Sequence, residues 1–164
     1  MAHELTHYAI RKHDDKSIKT ISAFEEPAAS AMSLYILKLS AEQWNRCDFS
    51  EKQPDYATNF EIYRDKEYMN VKGNIPCDYG EWVSINARYT GTLTSALQRP
   101  DVTVMRNHLY DTSVEMPDSI EALIRYPLYL RSDEKLVDED RWAIVEPECA
   151  NFVRKICEIQ PTVA

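Results

Sequence analysis

Glycine is scarce in this chain of 164 residues, which contains only Gly73, Gly80 and Gly91. This spacing excludes the glycine-rich loops that bind phosphates and dinucleotides, because such loops need closely spaced glycines ahead of a helix. No G-x-S-x-G sequence is present, so the nucleophile elbow of the α/β-hydrolases is missing as well. We therefore do not expect a kinase, a nucleotide hydrolase or a dinucleotide-dependent oxidoreductase.

Long apolar runs are also missing. No stretch approaches the length of about 20 residues that a membrane-spanning helix needs. The N-terminus lacks the basic region and apolar stretch of a signal peptide. The four cysteines are widely spread and form no C-x-x-C pair, which argues against a cysteine-rich zinc site. Together these absences predict a cytoplasmic protein with no membrane partner.

Positive charge is in deficit, since 19 basic residues face 27 acidic residues and the net charge is −8. An acidic surface repels the phosphate backbone, so direct binding to nucleic acid is not expected. Hydrophobic residues make up 44% of the chain, which is ordinary for a soluble globular protein. The length suits one domain, residues 1–164, with a core of its own.

The sharpest chemical signal that is present is an H-E-x-x-H motif formed by His3, Glu4 and His7. Residues four apart lie on one face of a helix, so His3 and His7 would point the same way. Two imidazoles placed like this bind one Zn²⁺ ion, and the glutamate between them serves as the general base. The motif therefore predicts His3 and His7 as metal ligands and Glu4 as the catalytic residue.

Residues 2–9 resemble the active-site helix of the zinc metallopeptidases called zincins, and the resemblance covers roughly the first 40 residues. In the thermolysin-like branch, the gluzincins, a glutamate from a second helix supplies the third zinc ligand. The resemblance implies this role for Glu25 or Glu26, which lie 18 and 19 residues after His7. Pro27 and the two acidic residues also suit the first turn of a helix.

His13 is a further candidate for the third ligand, because it follows His7 at the spacing of the metzincin branch. That branch has a glycine where this chain has Ile10, and a β-branched residue is poorly suited to the backbone conformation that ends the helix there. We therefore favour Glu25 or Glu26 over His13.

The same N-terminal residues fit a second interpretation. Residues 5–12 alternate in polarity and read as a strand, which residues 17–24 would pair with across a turn at 13–16. In that arrangement His3 and His7 would be ordinary surface residues, and no zinc would bind.

The remaining pattern predicts an α+β fold: a single domain with a small antiparallel sheet and three to four helices. We divide it into a zincin-like helical part at 1–46, a β-meander at 59–105 and a mixed α/β closing part at 117–160. The expected helices run from Pro27 to about Arg46, onward from Pro117, and from Glu146 to about Ile159. The expected strands are 60–63 and 67–71, joined as a hairpin, then 81–89, 101–105 and 142–145.

Two functions follow from these observations. The first is a small zinc metallopeptidase, or a degenerate relative of one, acting on a protein or peptide. The second is a non-enzymatic acidic protein-binding protein, such as an immunity protein, a phage-encoded inhibitor of host defence or a secretion chaperone. Ten tyrosines and three tryptophans support the second function, since both residue types favour protein interfaces.

Overall fold

The computed structural model describes residues 1–13, 24–70, 100–130 and 137–158. These residues form α-helices joined by short 3₁₀ segments. The α-helices are α1 (Ala2–His13), α2 (Glu25–Gln43), α3 (Tyr56–Met69), α4 (Pro100–Glu115), α5 (Glu139–Val145) and α6 (Ala150–Cys157). The 3₁₀ segments are Trp44–Arg46, Pro117–Ile124, Tyr126–Tyr129 and Pro147–Cys149.

Helix α2 is the central element, because α1, α3 and α4 all pack against it. Its first turn carries Glu25 and Glu26, which suit the positive end of the helix dipole, followed by Pro27. Ala28 and Ala29 are fully buried, and their small side chains allow neighbouring helices to approach closely.

Helix α1 begins with Glu4 in its first turn and ends with Arg11, Lys12 and His13 in its last turn. This distribution of charge stabilises a helix at both ends. Its buried face carries Thr6, His7 and Ile10, and Ile10 belongs to the hydrophobic core. The N-terminal residues are therefore helical, and the strand interpretation of residues 5–12 is wrong.

The hydrophobic core joins α1, α2 and α4 to the C-terminal helices. Its largest fully buried side chains include Trp142 of α5, Phe152 and Ile156 of α6, and Met105 and Leu109 of α4. Helix α3, in contrast, contributes no buried residue. Among the described residues, no helix has the length and apolar character to cross a bilayer.

The prediction of an α+β fold is wrong, because the described residues contain helices and one isolated bridge between Leu130 and Val137, but no strand. The expected hairpin falls largely within α3, which runs unbroken through the supposed turn at 64–66. Tyr56 and Phe60, four residues apart, bring their rings to a 6.1 Å centroid distance, a contact that helical spacing favours. Residues 61–67 are also rich in good helix formers.

Two further strand predictions are wrong. Residues 101–105 lie in α4, and residues 142–145 lie in α5. A short apolar run does not distinguish a buried strand from a buried helix. For α5, the residue that caps its N-terminus makes the difference. The side chain of Asp138 accepts a hydrogen bond from the Arg141 backbone N–H at 3.0 Å, which starts that helix. The strand expected at 81–89 lies outside the described residues.

The positions of three predicted helices are confirmed, although part of their length is 3₁₀ helix. Helix α2 and the following 3₁₀ turn cover the segment expected from Pro27 to Arg46. The segment expected to begin at Pro117 is a 3₁₀ helix, and the closing helix consists of Pro147–Cys149 followed by α6. Prolines at the start of both 3₁₀ segments fit their fixed backbone angle.

Candidate metal centre

Helices α1 and α2 bring His3, His7 and Glu26 together at the edge of the core. The Nε2 atoms of His3 and His7 lie 3.1 Å apart. Glu26 Oε1 lies 3.1 Å from the first of these nitrogens, and Glu26 Oε2 lies 3.3 Å from the second. We call these three residues the His–Glu cluster.

The carboxylate of Glu26 shows what the cluster is suited to hold. Both of its oxygens are buried, and neither makes a hydrogen bond despite their closeness to the imidazole nitrogens. A buried carboxylate without hydrogen bonds is unstable unless a cation compensates it. Ligands at 2.0–2.1 Å from a tetrahedral zinc ion lie about 3.3 Å from one another, close to the distances within the cluster. The residues present therefore fit a zinc ion.

A second set of contacts orients the imidazole rings. Nδ1 of His7 lies 2.8 Å from Glu25 Oε1, which also accepts a hydrogen bond of 3.3 Å from Arg11 Nε. Nδ1 of His3 lies 3.5 Å from Ser30 Oγ. Each histidine thus has a polar partner at Nδ1 and directs Nε2 into the cluster. Metal-ligating histidines commonly have this arrangement, in which a carboxylate or another polar group fixes the tautomer.

His7 and Glu26 shift each other's pKa in opposite directions. The hydrogen bond to Glu25 and the contact with Glu26 raise the pKa of His7 to about 9, although burial acts in the opposite direction. Burial raises the pKa of Glu26, but His3 and His7 outweigh that effect and lower the pKa to about 2. In the metal-free protein at neutral pH, His7 is therefore protonated beside an ionised Glu26. A metal ion would have to displace the proton on His7 Nε2.

The structure gives different positions to Glu25 and Glu26, which the sequence left as alternative ligands. Glu26 joins the two Nε2 atoms, whereas Glu25 contacts His7 on its opposite nitrogen. Glu4 is exposed on α1 and lies outside the cluster. His13, the lower-ranked candidate, is also outside it. Ser30 was missed, although its position four residues after Glu26 on α2 places both on one helix face.

A pocket of about 370 Å³ lies beside the cluster. His3, whose side chain is 23% exposed, contributes to its wall, whereas His7 and Glu26 are covered by protein. Leu34 and Tyr63 form part of the wall, together with Arg106 of α4. The volume falls in the range of small-molecule and peptide side-chain sites. The cluster therefore borders a space that a ligand could enter.

Comparisons of the chain with protein-family models, with curated proteins and with solved structures found no match.

Proposed function

We propose that this protein binds one zinc ion through His3, His7 and Glu26, and that the centre is of the metallopeptidase type. The observation that carries the proposal is the pair of buried Glu26 oxygens, which lack hydrogen bonds and lie 3.1 and 3.3 Å from two imidazole nitrogens. The H-E-x-x-H motif with a glutamate from a second helix is the ligand set of the thermolysin-like zincins, which these residues resemble. The proposed substrate is a protein or peptide.

The roles of the protein residues follow from their contacts. Glu25 Oε1 accepts a hydrogen bond from the Nδ1–H group of His7. It therefore favours the tautomer of His7 in which Nε2 is free to bind metal. When bound, zinc would supply Lewis acidity toward a peptide carbonyl and make a water molecule more acidic. Glu4 follows His3 on α1 and is the proposed general base, the role that the resemblance to the zincins implies for it. Its exposure leaves its carboxylate accessible to solvent.

Metal analysis of the purified protein tests the zinc site. We expect about one zinc per chain, lost in His7→Ala and in His3→Ala. The control is His13→Ala, which removes a histidine from the same helix but outside the cluster, and it should keep its zinc. Circular dichroism of each variant would show whether the helices are retained. Absence of zinc from the wild-type protein, or stoichiometric iron in its place, would refute this assignment.

Catalysis is tested separately with Glu4→Gln. This variant should retain zinc but lose cleavage of a mixture of peptides that the wild-type protein cleaves. Cleavage by the wild type and the variant at the same rate would show that Glu4 is not the base. A zinc-loaded wild type that cleaves no peptide would instead identify a degenerate relative of the peptidases.

A second candidate function, that of a non-enzymatic protein-binding protein, is favoured by helix α3. This helix buries none of its residues, and it exposes Ile62, Tyr63 and Met69. Exposed apolar and aromatic side chains on one element are common at protein interfaces. This function would apply if the protein binds no metal. For either function we propose a cytoplasmic location, which Cys149, a buried thiol, supports.

A further inference from the structure

Arg106 lies in an unusual position in the wall of the pocket beside His3. Arg106 is only 8% exposed, yet its guanidinium lies within salt-bridge distance of no carboxylate in the described part of the chain. Burial lowers the pKa of its guanidinium, and the charge of Glu67 opposes this only in part. Buried guanidinium groups are normally paired with an anion, because taking the charge out of water is costly.

The known contacts of Arg106 use only part of its hydrogen-bonding capacity. Its Nη2 donates to the backbone oxygens of Glu67 at 2.8 Å and Tyr68 at 3.4 Å, and its Nε donates to Asn107 Oδ1 at 3.0 Å. The oxygen of Glu67 belongs to the last turn of α3, where a cation is favourable. These contacts engage Nε and Nη2 of the guanidinium. Among the described residues, Nη1 has no hydrogen-bond partner.

We infer that the pocket binds a carboxylate group of the peptide through Arg106. This inference rests on the proposed function and specifies its substrate class. The Nη1 group of Arg106 can donate a charge-assisted hydrogen bond to such a carboxylate. The wall formed by Leu34 and Tyr63 would contact the apolar part of the same residue. The pocket therefore selects peptides that carry a carboxylate close to the peptide bond that would be cleaved beside His3.

The carboxylate has two sources, the C-terminus of a peptide and an aspartate or glutamate side chain. Three probes distinguish them: N-acetyl-Ala-Ala with a free C-terminus, N-acetyl-Ala-Asp-amide, and the neutral N-acetyl-Ala-Ala-amide. Each is titrated into the purified protein with zinc supplied, whether or not zinc is retained, and binding is followed by NMR chemical shifts. We expect at least one carboxylate probe to bind about tenfold or more tightly than the neutral probe.

Arg106→Gln should reduce that preference to near unity, since it removes the charge and the Nη1 donor. Arg154→Gln, a change at an exposed arginine of α6, is the control and should leave the preference intact. Because Arg106 also caps α3, a second variant avoids disturbing it. Ser33→Asp places a negative charge in the pocket wall and should abolish carboxylate binding, whereas the neutral Ser33→Asn should not.

The outcomes separate this inference from the proposed function. Equal binding of neutral and carboxylate probes, in a protein that holds zinc, overturns the inference and leaves the zinc site standing. A preference that persists in both Arg106→Gln and Ser33→Asp overturns it as well. If the protein holds no zinc but binds carboxylates through Arg106, the pocket assignment stands and the metallopeptidase proposal falls.

Discussion

Glu26 and Glu146 are both buried glutamates, but their surroundings differ in one respect that matters for function. Glu146 receives hydrogen bonds from Arg125 at 2.8, 3.0 and 3.1 Å and from Tyr129 Oη at 2.7 Å. Glu26 has no hydrogen bond to either oxygen and faces two imidazoles instead. One carboxylate is already neutralised by the protein, whereas the other is compensated only by groups that also bind metals.

The comparison shows why closeness of potential ligands does not define a metal site. Glu146, Glu148 and Cys149 also bring ligand atoms within 4.8 Å of one another, as the His–Glu cluster does. Burial raises the pKa of Glu146, but Arg125 outweighs it and holds the pKa below its usual value. A cation at Glu146 would have to displace this guanidinium. We therefore interpret Glu146 as part of a structural ion pair and keep Glu26 as the proposed metal ligand.

The largest expected effect is a difference in zinc content between two matched variants. Glu26→Gln should lose zinc, with affinity falling more than about 100-fold, because a ligand to the metal matters more than its outer partners. Glu146→Gln makes the same chemical change at the other glutamate and should keep its full zinc content. Zinc retained in the first variant, or lost from a folded second variant, would reverse our assignment of the two sites. Metal analysis after dialysis provides the measurement.

The same two variants should also differ in stability. Glu146→Gln removes the buried charged partner of Arg125, which then keeps only the exposed Glu121 at 3.9 Å, and should lower the free energy of unfolding by about 2–4 kcal/mol. Urea denaturation monitored by circular dichroism measures this quantity. Glu26→Gln is assayed beside it with a chelator present, so that loss of zinc does not contribute. A Glu146→Gln protein as stable as the wild type would mean that the ion pair with Arg125 is not structural.

A smaller effect is expected at Glu25, which contacts His7 from the side away from the cluster. Glu25→Gln should retain zinc but bind it about 10–100-fold more weakly, the range seen for partners of metal-ligating histidines. Competition with a chromophoric zinc chelator measures the affinity. Glu42→Gln, at an exposed position on the same helix, is the control. An unchanged affinity would mean that Glu25 does not orient His7, and complete loss of zinc would make Glu25 a direct ligand.

The smallest effect concerns pH. The folded protein raises the pKa of His7 from 6.5 to about 9, so protonated His7 stabilises the metal-free fold below pH 6.5, and this stability is lost as the pH rises through 9. Glu26, lowered from 4.5 to about 2, contributes stability above pH 4.5 that is lost as the pH falls through 2. The metal-free cluster is therefore most favourable between pH 4.5 and 6.5.

Zinc competes with the proton on His7, so its stabilising effect should grow as the pH rises from 6.5 toward 9. Thermal melts with zinc and with chelator at several pH values measure this growth as an increase in the Tm difference of a few degrees. Glu26→Gln should show no such growth. A Tm difference independent of pH in the wild type would contradict our account of His7.

Much of the candidate site was predictable because its residues are close in the chain and follow helical periodicity. The spacing of His3 and His7 places them on one face of α1, and Pro27 with its acidic neighbours indicates the start of α2. The choice between Glu25 and Glu26 was not predictable. Both lie in the first turn of α2, and about 100° of helical rotation separates adjacent side chains. How α1 docks on α2 decides which of them meets the Nε2 atoms.

Most of the fold was harder to predict, since short apolar segments serve equally well in a strand and in a buried helix. Residues 142–145 show the ambiguity: the run of Trp142, Ala143, Ile144 and Val145 resembles a strand, yet Asp138 caps it as a helix. Arg106 shows another limit. Its sequence neighbours give no sign that α3 and α4 meet, so neither its burial nor its position in the pocket could be anticipated.

Local sequence was sufficient for the start of α2 and for the spacing that places His3 and His7 on one face if residues 2–13 are helical, because these features involve residues only a few positions apart. It left a helix and a strand open for residues 5–12, and the tertiary structure decided for the helix. Packing between distant segments assigned separate roles to Glu25 and Glu26, gave Glu146 its arginine and left Arg106 without an ion pair in the described part of the chain. These outcomes depend on burial, since a charge removed from water is governed by whichever groups the fold places beside it.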